Sequence, residues 1–99
     1  MKNSCMVNRY RNKAKHFQNK YNPFLDEFSK HDDDRMLVVN MAKQVIEACK
    51  AMEGMDSVFV RVAFNKAFNE QNELMENIVT RFTGKVWNGW TWLDAENAE

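Results

Sequence analysis

Between Asp32 and Gly54 apolar residues crowd nearly the whole circumference of a helix: Met36, Leu37, Val38, Val39, Met41, Ala42, Val45, Ile46, Ala48, Cys49 and Met52 leave only Asn40, Lys43, Gln44, Glu47 and Lys50 as a polar stripe. Spacings of three and four place that stripe on one side, so the pattern predicts a central helix buried around most of its girth. Its start is written by Asp32, Asp33 and Asp34, which can cap free amides and favour the positive end of the helix dipole. Its stop is written by Gly54.

Upstream, Val7, Tyr10, Ala14, Phe17 and Tyr21 recur at helical spacing, predicting an amphipathic helix from about Ser4 to Tyr21 with one apolar seam. Opposite the seam, Arg9, Lys13, His16 and Lys20 follow one another turn by turn, flanked by Arg11 and Lys15. Asn22 and Pro23 should end that helix and open a short one over Pro23–Lys30, built on Phe24, Leu25 and Phe28, that redirects the chain. Downstream, Asp56 or Ser57 can cap a long helix to about Thr83, carrying Val58, Val60, Phe64, Ala67, Leu74, Met75, Ile78, Val79 and Phe82, with Gly84 as its stop. Two stretches strain that reading. Ser57 to Ala63 is valine-rich enough to pass for a strand, and Asn69 to Glu73 has no apolar anchor, so the helix must be exposed, bend or meet a partner there.

The pattern then changes period: Lys85, Val86, Trp87, Asn88, Gly89, Trp90, Thr91, Trp92, Leu93. Asparagine-glycine between aromatic and branched residues signals a hairpin. A two-residue turn would set Trp87 against Trp90 and Lys85 against Trp92, with all three indoles on one side. Ala95 to Glu99 reads as a solvated tail. The expected fold class is therefore mainly α: a small three- to four-helix domain with a buried central helix and a C-terminal tryptophan-rich β-hairpin, one domain over residues 1–99.

Composition adjusts this picture little. Hydrophobic residues at 44% and charged residues at 28% are those of a folded chain, and zero net charge leaves no global field to draw it to nucleic acid or acidic lipid. Locally the charge is lopsided, with six basic residues and no acid from Met1 to Leu25. Cys5 and Cys49 fit neither a redox pair nor a metal spacing, and Cys49 reads as a small apolar side chain. No apolar run has membrane-spanning length and no secretory signal is evident, so a soluble cytoplasmic protein is expected. The abundance of asparagine, lysine and phenylalanine suits an AT-rich coding genome, that of a bacteriophage, a mobile element or a low-GC bacterium.

Candidate chemistry is sparse. His31 beside three aspartates lacks the glycine and distant glutamate of a calcium loop; Ser4, Ser29 and Ser57 lack a nucleophile elbow; Cys49 has no histidine within helical reach. No metal, cofactor or enzymatic activity is expected. What remains is binding, through Arg9, Arg11, Lys13, Lys15 and Lys20 on one helix and Trp87, Trp90 and Trp92 on the hairpin. The resulting expectation is a small intracellular protein–protein interaction module, a regulator or inhibitor acting by surface occupancy on a protein partner or in a homo-oligomer. The alternative is nucleic-acid binding, with the basic helix on phosphates and the indoles on bases.

Overall fold

A computed structural model of the chain describes the backbone of residues 2–97 and the side chains of 9–96. The elements run α1 (Lys2–Phe28), α2 (Asp34–Ala51), α3 (Val58–Thr83), β1 (Lys85–Trp87), β2 (Trp92–Asp94) and a short 3-10 turn, Ala95–Asn97. Val7 and Cys5, read as seam and thiol, lie outside the described side chains.

The aromatic seam of α1 continues without a break in spacing from Phe17 and Tyr21 to Phe24 and Phe28, all four buried. That continuity overrides the expected break at Pro23: α1 is one helix, with proline inside it and exposed to water. Proline removes the amide that would bond the Asn19 carbonyl. One residue on, the Lys20 carbonyl accepts from the Trp92 indole N–H at 2.7 Å. The hairpin is thus pinned to α1 in the turn before the proline.

After Phe28 the chain turns through Asp33, the N-cap of α2, whose side chain accepts from the Arg35 amide at 3.0 Å and from both ends of the Arg35 guanidinium at 2.9 and 2.6 Å. Helix α2 lies between α1 and α3. Val38, Val39, Met41, Ala42, Val45 and Cys49 are buried there, against the α1 aromatics and against Met75, Ile78 and Val79 of α3, and Met52 is buried just past the helix end. Its covered sector is narrower than the pattern predicts: Leu37 is 42% exposed, and Ala48 is exposed beside an open depression of about 200 Å³ that it lines with Phe64, Ala67 and Phe68 of α3. Burial pushes the Cys49 thiol above its ordinary pKa, with the Lys13 charge acting the other way.

Helix α3 is unbroken. Ser57 caps it, its hydroxyl accepting from the Val60 amide at 3.3 Å, so the valine-rich start is helix and not strand. Gly84 ends it at φ 73°, a left-handed turn that points the chain straight into β1. The strands pair antiparallel as Lys85 with Asp94, Val86 with Leu93 and Trp87 with Trp92. The turn therefore spans four residues, not two. The Asn88 side chain accepts from the amides of Trp90 and Thr91 at 2.8 and 2.7 Å, stabilising the longer loop in place of the tight turn. Trp87 and Trp92 pack across the strands with ring centroids 5.3 Å apart and planes inclined at 59°, while Trp90 is lifted into the loop, 86% exposed. The expected slab of three indoles is a pair plus one.

Candidate functional site

Around the junction of α1, α3 and the hairpin the molecule holds its densest polar cluster. Lys20, placed by periodicity on the open basic face, is only 7% exposed. Its ammonium donates to Asn72 Oδ1 at 3.0 Å and to the Glu76 carboxylate, and it sits 4.7 Å from the Trp87 ring centre. Asn72 Nδ2 also donates to Glu76, at 3.0 Å. The Tyr21 hydroxyl points at the same asparagine, its oxygen 2.8 Å from Oδ1 and 2.9 Å from the Asn72 carbonyl. Burial pushes the Tyr21 pKa well above its ordinary value, and the Glu76 charge adds to the rise. A charge-balanced, hydrogen-bonded cluster of this kind can be buried because each group has a partner.

That cluster explains how α3 crosses Asn69 to Glu73 without an apolar anchor. Asn72 is itself the inward anchor, matched to polar groups of α1. The sequence shows the gap in the apolar pattern, but not that Lys20 would fill it.

Lys20 forms part of the wall of a cleft of about 420 Å³ between α1 and α3, together with Arg9, Asn12, Lys13, His16, Phe68 and Trp87. Lys13 holds its ammonium 4.3 Å from the Phe68 ring centre. A second depression of about 240 Å³ shares His16, Lys20 and Trp87 with the first and reaches Trp90 and Thr91 of the hairpin loop. Of the residues proposed from sequence, Arg9, Lys13, Lys20, Trp87, Trp90 and Trp92 are thus brought to one side of the molecule. Arg11 and Lys15 are not: both are exposed away from the clefts, and Arg11 lies 3.6 Å from Glu53 at the end of α2. Trp92 is mainly packing, edge-on to Phe24 at 5.0 Å and to Tyr21 at 6.0 Å. His16 completes the basic stripe by its spacing, whereas Asn12, Phe68, Asn72 and Glu76 carry no signal short of the tertiary fold.

A separate surface lies at the start of α3. Val58, Phe59, Val60, Val62 and Ala63 are all exposed, Phe59 at 87%. Phe59, Val62, Ala63 and Lys66 follow at helical spacing, so they form one outward stripe.

Among the described residues no group of three or more His, Cys, Asp or Glu side chains is placed to hold a metal ion, and no helix is long and apolar enough to cross a membrane. Comparison with protein families, curated proteins and solved structures finds no match to this chain.

Proposed function

We propose that the protein is a protein–protein interaction module, a small regulator that works by covering a surface and not by chemistry, and that the partner which covers its own α3 stripe is a second copy. The observation that carries this reading is the exposed run at the start of α3, with a phenylalanine ring standing in water at 87% exposure. Exposed apolar residues are ordinary singly; here Phe59, Val62 and Ala63 share one helix face within a turn of each other, with Val58 and Val60 exposed to either side.

One argument favours a second copy as the occupant. A twofold axis at Val62 and Ala63 would set two such stripes antiparallel, with Lys66 of each copy over the Phe59 ring of the other, a cation–π pairing made twice by symmetry.

Light scattering coupled to size exclusion tests this. The wild-type mass is expected at twice 11.7 kDa, and Phe59→Asp at 11.7 kDa with an unchanged far-ultraviolet circular dichroism spectrum, since the ring touches little within its own chain. A wild-type chain that stays monomeric at high micromolar concentration overturns the proposal, as does a Phe59→Asp chain that still dimerises.

A further inference from the structure

The cleft along α1 shares no residue with the α3 stripe and has a different chemistry. We propose that it binds single-stranded nucleic acid, with phosphates on Arg9, Lys13 and His16 and an unpaired base stacked on Trp90.

Charge comes first. Three cations, Arg9, Lys13 and Lys20, line the 420 Å³ cleft, and a single carboxylate, Glu76, is bonded to one of them. Lys20 is neutralised in place, which leaves Arg9 and Lys13 to face an incoming anion, with His16 as a further donor. Arg9, Lys13 and His16 climb one face of α1 at steps of four and three residues, about 6 and 4.5 Å along the axis. They form a row suited to a linear polyanion.

Aromatic surface comes second. The cleft runs past Trp87 into the 240 Å³ depression beside Trp90. The Trp90 indole is fixed at its base, since Asn88 accepts from the Trp90 amide, but its ring is 86% exposed and enters none of the close ring pairs that hold Trp87 and Trp92. An indole presented in this way beside a row of cations matches the two groups of a nucleotide, the anionic phosphate and the flat base. An acidic peptide would satisfy the cations and leave the indole unused. A duplex would offer phosphates but keep its bases from the ring, so the strand must be single.

The test uses the full chain and a labelled oligothymidylate of about twelve nucleotides, followed by anisotropy and by tryptophan fluorescence. Binding is expected with indole quenching, and with a log–log salt slope near −1.4 to −2.1 for two to three phosphates neutralised at about −0.7 each. Lys13→Ala and Arg9→Ala should each weaken binding and flatten the slope. Trp90→Ala should weaken it about tenfold or more and Trp90→Phe less, while both keep the wild-type melting temperature. Phe59→Asp should leave it unchanged. Absence of binding, a flat salt response, displacement by polyglutamate or by duplex as readily as by the single strand, or full affinity in Trp90→Ala would each overturn the proposal.

Discussion

Lys20→Met isolates the interaction on which the junction of α1, α3 and the hairpin depends. Methionine keeps most of the lysine stem and its packing against the indoles, so the substitution deletes chiefly the ammonium. Glu76 then loses its counter-ion and keeps one donor, Asn72 Nδ2, and Asn72 Oδ1 keeps only the Tyr21 hydroxyl. Breaking a buried pair by removing one partner costs about 3–5 kcal/mol. Because the Glu76 side chain is 30% exposed and can draw on water, the lower end applies, about 3 kcal/mol. In a domain of this size that lowers the melting temperature by about 12–24 °C.

Glu76→Gln leaves the ammonium, the more deeply buried member of the pair, with a neutral acceptor and no counter-charge, and should cost at least as much, about 3 kcal/mol. Lys20→Met combined with Glu76→Leu should recover most of the single-mutant loss, since the stranded carboxylate is gone. Circular dichroism melts and urea titrations of wild type, Lys20→Met, Glu76→Leu and the double variant close the cycle, with Glu76→Gln measured beside them. A cost under about 0.5 kcal/mol for Lys20→Met, as for an ordinary surface lysine, would refute the buried ion pair.

Acid titration should expose the α2 cap. Hydrogen bonds from the Arg35 side chain and amide hold the Asp33 carboxyl well below the usual range. A depressed folded pKa means stability that is present above the unfolded value of about 3.9 and is lost as pH falls through the folded one. Asp33→Asn should therefore flatten the loss of stability below about pH 4, and identical acid limbs for the two proteins would refute this. Trp92→Phe removes the donor to the Lys20 carbonyl in the turn before Pro23 and shrinks a ring packed on Phe24 and Tyr21. A loss of about 2–3 kcal/mol is expected, read as a lower urea midpoint at unchanged slope. A midpoint equal to wild type would mean that the hairpin does not brace α1.

The sequence by itself determined what short-range physics controls. Ser57 and Asp33 cap the helices they precede, Gly84 stops α3, and the seam of α1 and the apolar crowding of α2 select the buried sides. Each rests on residues a few positions apart, where hydrogen-bond geometry and helical period leave few options. The break expected at Pro23 failed because a local rule met a longer one: the aromatic seam runs through the proline, and a tryptophan from the far end of the chain supplies a donor in the turn before it. The tight turn at Asn88 failed because that side chain bonds forward to two amides and stabilises a longer loop.

Only the tertiary structure decided the fate of Lys20, and with it the composition of the candidate site. In sequence Lys20 is the last of a row of four with Arg9, Lys13 and His16. In the fold it meets Asn72 and Glu76, 52 and 56 positions away, at the point where α3 lacks apolar side chains. A charge can be buried only where its partners stand, and their positions follow from how α1 and α3 pack across α2.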